Sequence, residues 1–462
     1  MLTDQEIKYA LKQLLLRAGI KEPIIENNNW HNEQIDIRYE SYFEGKRTLS
    51  KVIFIQPVER KSLSILNNLE PNSISWQEKQ KLLPPNISLP ISEKIPIFSP
   101  HNIDEKLFKP VQLINENVVV FHFDVVAAAF FMLSRYEEII NKTRDKYGRF
   151  PANESFAYKQ GFLSQPIVDE MGLILRAWMQ YLDPEWEPYK HKPEVIITHD
   201  IDFIRTLPNL RKIARSSLEN AKKMGITAGI AETLKIFRKE THNLADTPYI
   251  QSIFRMINLL RLNHLKGYFF FKSSRATFYD SGYDVSHPVF EKIFCQIKEA
   301  NFEIGLHPGF YTYTNSRLLK KEKSSLEENL GSKIKHCRQH YLRFDPSVTW
   351  RVQQEAGFQF DHTMAYAQHE GFRCGTCHSF NPFDIDRQKE LRIIEMPLIV
   401  MDTTLKDYQG YSIDEAKQKI INLAKKCHAV EGTFSLLWHN TSFFGDWEEW
   451  GEMYKSVLPA LV

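Results

Sequence analysis

Five short apolar segments punctuate residues 190–462: VIIT (195–198), GYFFF (267–271), EIGLH (303–307), LIVM (398–401) and TFSLLWH (433–439). Stretches with helical spacing lie between them, at 288–300, 318–340, 347–356 and 413–428. Strands alternating with crossover helices predict a parallel sheet. Five or more such strands in about 270 residues predict an α/β fold closed into a (β/α) barrel, where chemistry gathers at the C-terminal strand ends. Residues 205–262 interrupt the rhythm as a long helical insertion, and its basic run RKIARSSLENAKK reads as a solvated helix face.

Residues 1–185 follow no such rhythm. An amphipathic helix opens the chain, IDIRYE and KVIFIQP alternate as strands do, and VVVFHFD (118–124) reads as another strand. Helices are expected over 125–142 and 166–182, and the proline- and serine-rich stretch 70–100 is expected to be mostly loop. DPEWEPYKHKPE (183–194) holds three prolines and marks a boundary. The expectation is thus a smaller α+β domain over 1–185, then a barrel over 190–462.

The charge balance, 59 basic against 57 acidic residues, argues against nucleic acid or an anionic membrane as the main partner. No apolar run reaches the roughly 18–20 residues that span a bilayer. The N-terminus lacks the basic start of a signal peptide, so the expected location is cytoplasmic. Five cysteines fit a reducing compartment. Cys374 to His378 match a haem-attachment spacing, but there is no second CxxC to complete a zinc site, so a loop with buried thiols is expected.

The chemistry gathers at strand ends. In EVIITHDIDFI (194–204), Asp200 and Asp202 are two apart, so an extended backbone points both carboxylates one way. Like charges so placed need a cation or a metal between them. His307 and His439 end later strands, and IKHCRQHYLRF (334–344) adds Arg338, His340 and Arg343. This set suits a mononuclear zinc-type site with an open position for water.

These residues resemble the polysaccharide deacetylases, the NodB homology or carbohydrate esterase family 4 fold. The resemblance covers roughly 190–462 and implies a distorted (β/α) barrel holding one divalent metal, zinc above all. Thr198 to Asp202 is similar to the family's first motif, which implies Asp200 as catalytic base and Asp202 as metal ligand. HPGFY resembles its His-x-x-x-His motif, implying His307 as a ligand, but Tyr311 stands at the second histidine's place. His340 is the expected replacement, with His287 and His199 as lesser options. RQHY resembles the arginine motif: Arg338 would orient the base and the Tyr341 backbone would hold the oxyanion. LLWH resembles the last motif and implies His439 as general acid. Asp361 and Asp402 are both candidates for the acidic partner. LSRYEEI (133–139) resembles a domain found beside such barrels in bacterial surface-sugar proteins. The implied activity is hydrolysis of an N-acetyl group on a carbohydrate. The alternatives are hydrolysis of a cyclic imide or ureide, and a lapsed site that binds sugar or acts as a scaffold.

Overall fold

The computed structural model describes residues 2–42, 50–57, 74–98, 108–204, 244–273 and 277–461. In the first part, β1 (Asn29–His31), β2 (Ile35–Arg38) and β3 (Lys51–Ile55) join one sheet. β4 (Ile74–Glu78) and β5 (Lys94–Phe98) form a separate antiparallel ribbon. β6 (Val111–Asn115) and β7 (Val118–Phe121) complete the five-stranded sheet in the order β1-β2-β3-β7-β6. The helices Asp4–Ala18, Val125–Leu133 and Ile167–Leu182 pack together beside it.

The second part is built on β8 (Glu194–Ile201), β9 (Lys266–Phe271), β10 (Glu303–Leu306), β11 (His336–Cys337) and β12 (Phe360–Asp361). A small hairpin of β13 (Phe383–Asp384) and β14 (Lys389–Glu390) precedes β15 (Ile394–Glu395), β16 (Val400–Met401) and β17 (Thr433–Leu437). Eight of these pair in the order β15-β12-β11-β10-β9-β8-β17-β16, all parallel. The edges, β15 and β16, are separated in sequence only by residues 396–399. A flat eight-stranded sheet would hold its edges about 34 Å apart, whereas so short a link spans at most about 17 Å. The sheet therefore curls, and every strand delivers its C-terminal end to the same rim.

Three local expectations are corrected. The stretch 70–100 contains the β4–β5 ribbon, and Pro96 is tolerated there opposite Trp76 because a two-stranded ribbon leaves one side of each strand unpaired. Residues 125–142 form two helices, broken where Arg135 takes a left-handed φ of 54°. The helix expected over 318–340 ends at Leu330, because Gly331 adopts φ 66° and caps it, and β11 follows. Of the insertion, 205–243 lie outside the described residues, and the helix Pro248–Leu262 is its described part. No described helix is long and apolar enough to cross a membrane. Cys374 and Cys377 are buried free thiols, and Cys377 N–H donates to Asp169 at 2.8 Å.

No strand pairing crosses 183–194 among the described residues, but buried charges do join the two parts. Arg135 donates to Glu138 at 2.9 Å, to the Arg373 carbonyl at 2.5 Å and to Tyr366 at 2.9 Å, and it also pairs with Glu137. Arg373 closes the network with two hydrogen bonds to Glu138, at 2.9 and 2.5 Å. Burial opposes ionisation of Glu138, but Arg373 and Arg135 outweigh it and hold its pKa below the usual value. Removing one partner of such a buried set leaves bare charge behind. Glu138→Ala is expected to destabilise the chain by about 3–5 kcal/mol in denaturant unfolding. Removing Glu194 from its exposed pair with Lys266 is expected to cost about 0–1 kcal/mol.

Candidate active site

The parallel register explains how distant residues meet. Asp202, Lys272, His307, Arg338 and Asp402 are each the first residue past the C-terminal end of a strand: β8, β9, β10, β11 and β16. His439 is the second residue past β17, and Asp200 is the penultimate residue of β8. All of them except Lys272, Arg338 and Asp402 line one cavity of about 570 Å3 at the rim.

Asp202, His307 and His340 each offer one donor atom, and these three atoms lie within 4.8 Å of one another. Asp202 Oδ1 is 3.4 Å from His307 Nε2 and 3.5 Å from His340 Nε2. Tetrahedral zinc with bonds of about 2.0–2.1 Å would set its ligands about 3.3–3.4 Å apart, so the donor set fits. The second ring nitrogens are already engaged. His307 Nδ1 lies 2.6 Å from the Arg338 carbonyl, which can only accept, so the proton is on Nδ1 and the Nε2 lone pair is free. His340 Nδ1 lies 2.7 Å from Asp280, with the same consequence. Asp280 is itself fixed by the Phe310 N–H and the Thr277 hydroxyl. Burial and the neighbouring Lys272 push His340 down to about 4. Burial works against Asp202 as a carboxylate, but Lys272 and the two histidines hold it well below its ordinary value. Asp202 Oδ1 has no hydrogen-bond partner among the described residues, although Lys272 Nζ is an ion-pair contact at 3.0 Å.

Asp200 stands beside this set, with Oδ2 3.7 Å from His307 Nε2 and Oδ1 3.9 Å from Arg338 Nη1. Arg338 is fully buried, donates to Thr198 at 3.0 Å and lies over the Phe270 ring at 5.2 Å. That arrangement requires Gly305, because a Cβ there would stand 2.5 Å from the Phe270 ring. On the other flank, Asp402 accepts from His439 Nδ1 and from His439 N–H, each at 2.7 Å, and from Ser442 at 2.5 Å. Burial disfavours the imidazolium. The charge and hydrogen bond of Asp402 outweigh it, Asp202 and Asp200 add to the pull, and His439 rises to about 10.

The remaining expected residues separate clearly. Asp361 is buried in the sheet interior, accepting from Gln353 at 2.8 Å and Thr363 at 2.5 Å, next to Glu395. Burial and the charge of Asp361 raise Glu395 well above its usual value, and burial raises Asp361 as well. His439 pairs with Asp402 and not with Asp361. His199 faces the opposite side of β8, where it bonds the Trp438 carbonyl, and His287 caps the helix Pro288–Glu299; neither joins the donor set. Tyr311 is 52% exposed and is also outside it. Tyr341 lines the cavity with a left-handed φ of 61°. Two residues that touch the donor set carry no expectation from the sequence: Lys272 and Asp280. The signal for Lys272 was available, since it follows GYFFF as His307 follows EIGL. Asp280 lies in a loop and carries no periodic signal.

Residues 2–184 match a family of unknown function (DUF7033). No curated protein matches the chain. Among solved structures, a Mycobacterium smegmatis protein described as a polysaccharide deacetylase superposes with TM-score 0.36 at 14% identity, covering 59% of this chain and 86% of its own. PuuE allantoinase gives TM-score 0.36 at 14% identity, covering 60% and 85%. A family 4 carbohydrate esterase from Streptomyces lividans, in complex with acetate, gives 0.26 at 11% identity, covering 59% and 85%.

The Asp402–His439 pair has a measurable signature. A raised histidine pKa contributes stability that is present below the ordinary value near 6.5 and lost as pH rises through about 10. In metal-free protein, NMR titration should find His439 still charged at pH 8. Asp402→Asn should lower its pKa by about 1–3 units.

Proposed function

We propose that the chain is a metal-assisted hydrolase that removes an N-acyl group from an amino sugar or sugar-polymer precursor. The observation that carries this reading is the convergence of Asp202, His307 and His340 beside Asp200, with His439 on the same cavity. A divalent ion of zinc type held by those three residues would polarise the acyl carbonyl and acidify a water. Asp200 is the base that takes the proton of the attacking water, and Arg338 balances and orients it. The backbone N–H at Tyr341 is assigned to the oxyanion. His439, held as an imidazolium by Asp402, gives its proton to the departing nitrogen as the C–N bond breaks.

The cavity suits the substrate class. Leu342, Ala367, Met401 and Leu437 form an apolar patch on the cavity wall, to which we assign the acyl group. Tyr279, Tyr341, Tyr408 and Phe278 line the same cavity, and aromatic side chains of this kind suit a sugar ring. We assign residues 1–185 to an accessory domain that contributes Arg149 to the cavity wall. One observation favours a second reading, a site that binds sugar without turnover: the cation of Lys272 already occupies the donor set.

The test is release of acetate from N-acetylated amino sugars and their oligomers by protein with and without added zinc. Asp200→Asn is expected to lose about 10²–10⁴-fold in kcat while keeping its metal. Asp202→Ala is expected to lose metal and activity together. Near-wild-type turnover by Asp200→Asn would sink the assignment of the base. Turnover of cyclic imides alone would move the substrate class.

A further inference from the structure

Lys272 has no part in the hydrolytic reading, yet it sits at the centre of the donor set. Its side chain is 2% exposed. Its Nζ lies 3.0 Å from Asp202 Oδ1 and 3.1 Å from His340 Nε2, two of the three atoms that would hold a metal. We propose that Lys272 is a built-in rival of the metal: its ammonium holds the donors together in the metal-free chain and must leave them for an ion to bind, so that this residue sets the metal affinity. The proposal rests on reading Asp202, His307 and His340 as the metal site.

Three observations support the exchange. First, His340 has committed Nδ1–H to Asp280, so it has one lone pair left, on Nε2. That lone pair faces Lys272 Nζ and cannot serve an ammonium and a metal at once. Second, three cations already stand among the four carboxylates without a metal. Asp200, Asp202, Asp280 and Asp402 are interleaved with Lys272, Arg338 and His439. Adding a dication while the ammonium stays 3 Å from the same carboxylate would place two cations in a buried space. Third, the backbone cannot make the adjustment. Lys272 N is 3.0 Å from the Tyr283 hydroxyl, which donates to the Ile201 carbonyl at 2.7 Å and so ties the ends of β8 and β9 together. The four-carbon side chain, with its rotatable bonds, is the part that can change conformation.

The experiment uses the full chain stripped of metal and titrated with Zn²⁺ against a competing chromophoric chelator, with Co²⁺ absorption as a second probe. Wild type, Lys272→Met, Lys272→Gln and Asp202→Ala are compared, each checked for folding by circular dichroism. The expected result is that both lysine variants bind about tenfold or more tightly than wild type and gain more in Tm on adding zinc. Asp202→Ala should not bind. Gln keeps polar character, so a fold defect peculiar to the buried Met leaves the measurement intact. Equal or weaker affinity in the folded lysine variants, with zinc still bound by wild type, overturns the role of Lys272 and leaves the metal site standing. No binding by any chain, lysine variants included, overturns the metal reading and this proposal with it.

Discussion

The parallel direction of the eight strands is the constraint on which the site depends. A parallel sheet sends all its C-terminal ends to one rim, and this chain places a charged or ligating side chain immediately past five of them. Burying charge is costly unless it is paired. The rim answers by alternation: Lys272 lies against Asp202, Arg338 beside Asp200, and His439 against Asp402. Even the apolar layer beneath serves this order, since the missing side chain at Gly305 lets Phe270 lie under the Arg338 guanidinium.

Within that frame, three histidines of one rim meet different partners at Nδ1. The Arg338 carbonyl facing His307 can only accept, so that ring keeps Nε2 as a donor of electrons. Asp280 does the same for His340, and burial with the neighbouring lysine keeps that ring neutral despite the carboxylate. Asp402 meets both the ring and the backbone N–H of His439 with no lysine in between, and there the imidazolium wins. A neutral ring at His340 and a charged ring at His439 are what a site needs if it is to hold a cation on one side and deliver a proton on the other.

The placement of charged and histidine side chains at strand ends was the legible part of this sequence. Asp200, Asp202, His307 and His439 could be read because each follows an apolar run long enough to recognise, and the structure brings them to one cavity. The number and closure of strands were less visible. β11, β12 and β15 have two residues each, too short for any periodicity, and only β11 pairs with a longer neighbour, β10. The choice between Asp361 and Asp402 could not be made from sequence, since both follow or end such short strands. It is made in space, by which one reaches the His439 ring. Lys272 was overlooked because a lysine after an apolar strand ordinarily reads as a solvated end; only burial reveals it as a partner of Asp202.

The first part of the chain bears on the site through the turn that follows Arg338. Tyr341 and Leu342 both take left-handed φ values, 61° and 53°, without being glycine. Such a pair persists only where its surroundings determine it more strongly than its own preference. Some of those surroundings come from residues 145–149. Arg149 is fixed by Asp145 at 2.8 Å and reaches the Tyr341 carbonyl at 3.4 Å, and the Tyr147 ring lies 4.9 Å from that of Tyr341. Gly148, at φ 75°, brings the loop so close that a Cβ would stand 3.0 Å from Arg343 Nη2. From the other side, Arg343 donates to the Phe310 carbonyl at 2.5 Å and stacks on its ring at 3.8 Å. The turn carrying Arg338 and His340 is therefore clamped between the loop 145–149 and the loop that follows His307. The buried Arg135–Glu138–Arg373 network holds the two parts in the relation this clamp needs. LSRYEEI, which supplies two of those three charges, thus acts on the site without touching it.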